Sequence, residues 1–182
     1  PNVLASDADR SFYAMDVYNQ LELPLAVVQP ATVEELQKAV RAITLAGVAV
    51  VPRGAGPGLI GGAMAPVGGV MVSMTRMNRL LEVDLPNRCA VVEPGLINLW
   101  LSNATRERGW FFAPDPSSQS ICTIGGNVAF NAGGAHCLKY GMTSNHVLGV
   151  KAVLATGEVV EFGGPSREQI GPDWTGLFVG NE

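Results

Sequence analysis

Apolar residues recur along this chain with two spacings, and each spacing predicts a kind of element. Leu25, Ala26, Val27 and Val28 form a short apolar run closed by Pro30, which reads as a buried strand. Thr32 stands where a helix begins, with Glu35 three residues on, a spacing that lets hydroxyl and carboxylate cap the first turn. Leu36, Ala39, Val40 and Ile43 then follow at i, i+3, i+4 and i+7, the apolar face of a helix that Gly47 ends. A second apolar run at 48–51 completes a βαβ unit, for which a right-handed crossover is the rule. Residues 70–74 predict a third strand, and 83–84 and 90–93 two more around the polar turn 86–88. The pattern passes there from parallel to hairpin pairing, which places a boundary near residue 82. A helix is expected over 98–108, with Leu99, Leu101 and Ala104 apolar and Arg106, Glu107 and Arg108 outside, before Gly109. Residues 150–154 and 158–162 flank Ala155, Thr156 and Gly157 as a β-hairpin, and 173–178 read as a short helical turn. The division is then a polar N-terminal arm over 1–24, a first lobe over 25–82 and a second over 83–182.

Composition narrows the class. Of 182 residues, 47% are apolar and 15% charged, which marks a folded chain with a real core. A net charge of −4 with no basic run argues against a nucleic-acid partner. Cys89, Cys122 and Cys137 are odd in number and form no C-x-x-C pair, so they read as reduced thiols of a cytoplasmic protein. The uncharged stretch 54–75 has the length of a membrane span, but its seven glycines and two prolines fit a loop and a strand better. Met64, Met71, Met74 and Met77 read as core filler. No signal-peptide pattern opens the chain, and it stops in mid-pattern at 178–182, as expected of an N-terminal fragment or of one part of a split protein.

Candidate chemistry begins at residues 52–63, P-R-G-A-G-P-G-L-I-G-G-A, which follow the second apolar run. Glycine serves where backbone takes positive φ or approaches a ligand closely, and consecutive free amides make a concavity for anions. A Walker loop would end in Gly-Lys-Ser/Thr, whereas the next lysine is Lys139. A Rossmann fingerprint laid on Gly56, Gly58 and Gly61 fails to open a helix, because Gly62, Pro66, Gly68 and Gly69 follow. Two readings remain for the loop alone: an anion cradle, or a surface loop that binds nothing.

A second cluster lies at 114–146. It holds two Gly-Gly pairs (Gly125, Gly126 and Gly133, Gly134), hydroxyls at Thr123 and Thr143, and amides at Asn127 and Asn131. Two glycine-rich walls suit one elongated, anionic ligand between two lobes, the shape of a dinucleotide.

The order P-R-G-A-G-x-G-L-x-G-G-A, P-D-P-S-S, T-I-G-G-N-V-A-x-N-A-G-G and K-Y-G-M-T-x-N-H-V-L-G-V resembles the FAD-linked oxidases of the vanillyl-alcohol oxidase type, over residues 16–182. Within that superfamily it is most similar to glycolate oxidase FAD-binding subunits and D-lactate dehydrogenases. The resemblance implies an α+β, two-lobed PCMH-type FAD-binding domain with a small βαβ lobe and a larger mixed or antiparallel lobe. It implies that Gly54, Ala55, Gly56, Pro57, Gly58 and Leu59 face the pyrophosphate, with Gly62 and Ala63 completing the loop. Pro114, Asp115, Ser118, Thr123, Gly125, Gly126 and Asn127 would line the ribityl chain and flavin ring; Gly133, Gly134, Tyr140, Gly141, Thr143, His146 and Val147 would form the remaining wall. The family carries threonine where Pro57 stands, so one phosphate bond is expected to be missing. It also implies hydride transfer from the α-carbon of a small 2-hydroxy acid, an electron-transfer partner subunit or quinone, and substrate residues in a cap domain beyond Glu182. No catalytic residue is assigned. A more distant kin is the peptidoglycan-precursor reductase that shares the FAD fold, and a competing reading is an FAD module without turnover of its own.

The polar outliers keep two readings each. Arg53 neutralises diphosphate or makes a surface salt bridge. His146 hydrogen-bonds flavin or satisfies a buried backbone group, while His136 reads as an exposed or core-edge histidine. Two histidines without a carboxylate at coordinating spacing give no metal site, and Cys122 and Cys137 read as small apolar residues. The first glycine loop holds no histidine, whereas relatives that link the flavin covalently there do, so FAD is expected to bind non-covalently.

Overall fold

The structure is a computed structural model that describes residues 1–15, 23–165 and 171–182. The chain divides into two compact units, Pro1–Met77 with Ala152–Val160, and Asn78–Lys151 with Glu161–Glu182. The first boundary lies close to the change of pairing expected near residue 82, but the tip of the late hairpin joins the first unit.

In the first unit, β1 (Asn2–Leu4) and α1 (Asp7–Ser11) precede β2 (Ala26–Gln29), α2 (Val33–Leu45), β3 (Val50–Arg53) and β4 (Val70–Ser73). The sheet order is β1-β2-β4-β3, with β4 parallel to both neighbours and β1 antiparallel to β2. The βαβ unit therefore skips a place, and the strand after the glycine loop fills the middle. Strand alternation splits the core in two. Val28, Val70 and Val72 face Ala39 and Ile43 of α2, while Val27, Val51 and Met71 pack with Ala65, Leu4 and Tyr13 on the other face. Residues 2–4 and Tyr13 thus belong to the sheet and its core, whereas the polar composition of residues 1–24 gave only an arm; Tyr18 lies outside the described residues. Met71 and Met77 are buried, as core filler should be.

Thr32 Oγ1 accepts from the Glu35 amide (3.2 Å), and Glu35 Oε2 accepts from the Ala31 amide (2.9 Å), so the expected box reaches one residue further back.

In the second unit, β5 (Leu80–Asp84) and β6 (Cys89–Val92) form an antiparallel pair followed by α3 (Asn98–Arg106). Leu96, Leu101 and Ile124 make its core with Leu80, Ala90, Val92, Phe112 and Val128. Two short helices, α4 (Ile124–Phe130) and α5 (Cys137–Tyr140), occupy the second glycine-rich cluster, where glycine content masks helical spacing. Strands β7 (Gly149–Val153) and β8 (Val159–Gly163) are the expected hairpin, and α6 (Trp174–Phe178) is the expected turn, capped by Asp173. Helices and mixed sheets together give the α+β class. Among the described residues no helix is long and apolar enough to cross a membrane.

Candidate functional site: one loop in each unit

In the first unit the glycine loop leaves β3 at Arg53. That residue is 8% exposed, so its guanidinium works inside the unit. Its Nη1 donates to the Ala63 carbonyl (3.0 Å) and its Nη2 to that of Met15 (3.0 Å), which ties the start of the loop to its end. Gly56 crosses over this guanidinium. A Cβ there would stand 2.5 Å from Arg53 Cζ, and its φ of +79° is itself a glycine conformation. The start of the loop is accordingly packed on a buried, hydrogen-bonded guanidinium.

Its amides are the second feature. Among the described residues, none accepts a hydrogen bond from the amides of Gly56 or of residues 58–63, whereas Met64 closes a turn onto Gly61 (2.9 Å). Pro57 carries no N–H. A run of such donors is the kind of backbone concavity that takes anions. That arrangement fits a diphosphate.

The second unit's motif residues are employed differently. Thr123 Oγ1 caps α4 by accepting from Gly126 N (3.2 Å), while Ile124 N and Gly125 N donate to the carbonyls of Leu96 and Pro94 (2.8 Å each). A Cβ on Gly125 would lie 2.7 Å from Pro94 Cβ, so this glycine lets the helix start against the chain. Asn127 is buried; its Oδ1 accepts from Asn98 Nδ2 (2.9 Å) and its Nδ2 faces Cys122 Sγ (3.3 Å). Thr143 Oγ1 donates to Ala132 O (2.6 Å), and Pro114 is fully buried. Thr123, Asn127 and Thr143 thus spend their polar atoms inside the unit.

Of the remaining candidates, Asp115 and Tyr140 share one cleft, and Ser118, Gly133, Gly134, Gly141, His146 and Val147 are not among its lining residues. An open cleft of about 470 Å³ is lined by Arg106, Trp110, Phe111, Gln119, Asp115, His136 and Tyr140, among others. His136 Nδ1 donates to Asp115 Oδ2 at 2.5 Å, and this bond, with a further one from the His136 amide, holds the Asp115 carboxyl below its ordinary value against the opposing effect of burial. His146 Nε2 donates to the Tyr140 carbonyl (2.9 Å), which is the backbone-satisfying role expected as one of its alternatives. Gly133 and Gly134 pass close to Cys137 Sγ and to the Asp115 carbonyl, and Gly141 passes close to Asn145. Ser118 accepts the Ile121 and Cys122 amides at its carbonyl (2.9 and 2.8 Å), and Val147 follows His146 into β7. Among the described residues no group of His, Cys, Asp and Glu has the arrangement of a metal site.

Sequence reading missed two organisers of this unit. Asn98 is 0% exposed and its Nδ2 also donates to Pro114 O (3.0 Å); among the described residues Oδ1 has no partner. Its signal was an amide on the same helical face as Leu101 and Thr105. Glu93, also buried, is gripped by Arg79 Nη2 (2.7 Å), Nε (3.1 Å) and the Arg79 amide (2.8 Å).

The family model for the FAD binding domain matches residues 24–163, so the chain belongs to that family, and its cofactor is FAD. The glycolate oxidase subunit GlcD of Bacillus subtilis is 40% identical over 179 residues, 97% of this chain and 38% of that protein. The D-lactate dehydrogenase of Anaerostipes hadrus is 36% identical over 169 residues, covering 92% of this chain and 35% of that one. The chain thus spans under two fifths of these relatives' length. A solved structure, alkyldihydroxyacetonephosphate synthase, matches 98% of the chain and 37% of its own with a TM-score of 0.82 at 22% identity, a likeness of fold.

Proposed function

We propose that this chain is the FAD-binding part of a flavin-dependent oxidoreductase acting on a small 2-hydroxy acid of the glycolate or D-lactate kind. The observation that carries the cofactor half is the row of loop amides, Gly56 and 58–63, that have no acceptor among the described residues. The substrate class is supported by the relatives' names. Bound FAD supplies a hydride acceptor for the substrate's α-carbon. In this reading Gly54, Ala55, Gly56, Gly58, Leu59, Gly62 and Ala63 offer backbone to the diphosphate, and Arg53 ties the start of that loop to its end. Asp115, Ser118, Gly133, Gly134, Tyr140, Gly141, His146 and Val147 line the rest of the cofactor; Thr123, Gly125, Gly126, Asn127 and Thr143 hold that wall in shape from within. Binding is non-covalent, because the loop offers no histidine to attach the flavin.

A second reading is an FAD module that turns over only with a cap domain or partner subunit. That the Bacillus subtilis relative is itself named a subunit favours it.

Reconstitution with FAD followed by anaerobic glycolate or D-lactate tests both. Bleaching of bound flavin is expected for the enzyme, and none for the module. Protein without flavin absorbance after reconstitution would sink both readings, and a yellow pellet after acid precipitation would overturn non-covalent binding.

A further inference from the structure

The second unit contains two histidines, and both lie where the segment 111–115 meets the segment 133–146. His136 binds Asp115 twice, through Nδ1 to Oδ2 (2.5 Å) and through its amide to Oδ1 (3.4 Å). Among the described residues no other side chain hydrogen-bonds Asp115. One step along, the Phe111 and Tyr140 rings meet edge to face at 5.8 Å, and the Phe112 and His146 rings at 6.1 Å. The glycine turn itself abuts the Asp115 backbone so closely that Gly134 has no room for a Cβ. Two weak aromatic contacts and one short, charge-assisted bond therefore hold one loop on the other.

We propose that His136 is a positioning residue for FAD: by clasping the Asp115 carboxylate it fixes segment 111–115 on the 133–134 turn in the geometry that receives the cofactor. This rests on Asp115 and Gly134 lying at the FAD, as proposed above. The His136 side chain is 67% exposed, so the clasp adds little to folding. Its value lies in pre-ordering two loops that would otherwise be ordered at the expense of binding energy.

The test uses full-length protein, flavin fluorescence for FAD affinity and dissociation rate, and thermal unfolding of the apo form. H136A is expected to weaken FAD about fivefold, mostly through faster release, with the apo midpoint little moved. H136N, whose Nδ2 stands where the imidazole Nδ1 stood, restores affinity to within about twofold. In a D115A background H136A has no further effect, because the clasp is already gone. Should H136A not fold, H136F keeps the ring without the N–H and carries the same expectation. Wild-type affinity in H136A (or H136F), or losses that add independently to those of D115A, would overturn the proposal while leaving FAD binding intact. Wild-type protein that binds no FAD would overturn the functional reading and this inference together.

Discussion

Gly134 has no space for a single added carbon: its Cβ would overlap the Asp115 carbonyl, a backbone group that cannot swing away. Gly134→Ala should therefore cost about 2 kcal/mol or more in urea denaturation, since the loop 111–115 has to move as a whole. Glu93 is a buried carboxylate through which acid should act. Arg79 hydrogen bonds hold its carboxyl below the ordinary value, outweighing burial, which pushes the other way. A depressed folded-state value means stability that is fully present above the ordinary glutamate range, about pH 4.3, and lost as pH falls through the lower folded value. Glu93→Gln should flatten that acid limb and lower stability at neutral pH by about 1–2 kcal/mol, a modest figure because Arg79 is 66% exposed. A mutant melting curve that tracks wild type from pH 7 to about 3 would contradict this. Neither residue was legible in the sequence for what it does. Gly134 was visible as glycine, but whether the space went to a ligand or to the protein's own backbone is a three-dimensional fact.

The elements were legible where one apolar face decides them. Helix α2 shows its caps and its stripe in the sequence, and the structure buries Ala39, Val40 and Ile43 as that stripe requires. Thr32→Ala should remove the bond to the Glu35 amide and cost about 1 kcal/mol, seen as faster amide exchange in the first turn of α2. The hairpin was equally plain from Gly157, whose φ of +77° its tight turn needs. Sheet order was not, because parallel strands are paired by crossovers and no local residue says that β4 lies between β2 and β3. Helices α4 and α5 hid for another reason. Their glycines lower helix propensity, and what holds α4 is a threonine cap, Pro94 behind Gly125, and Asn131 in the left-handed conformation at its end.

At the scale of the whole molecule, the two glycine-rich stretches looked alike in sequence and differ in what their amides do. The first turn of α4 has acceptors for Ile124, Gly125 and Gly126 within its own unit. The loop over Arg53 leaves Gly56 and residues 58–63 with none among the described residues. Buried or not, an amide with a stable acceptor exchanges slowly, and one facing water exchanges fast. FAD should then produce an asymmetric footprint. At a hundredfold excess over its dissociation constant it adds about 2.7 kcal/mol to global stability, which slows every core amide by a common factor. Beyond that common factor, the amides of Gly56 and residues 58–63 should gain specific protection, while those of 124–126 should gain none. Hydrogen exchange read by mass spectrometry with and without FAD resolves the two stretches. Equal specific protection at both would mean that the α4 amides change partners on binding and that the glycines there serve the ligand after all. Specific protection at 124–126 alone would remove the loop over Arg53 as the anion cradle, and with it the observation on which the functional reading stands.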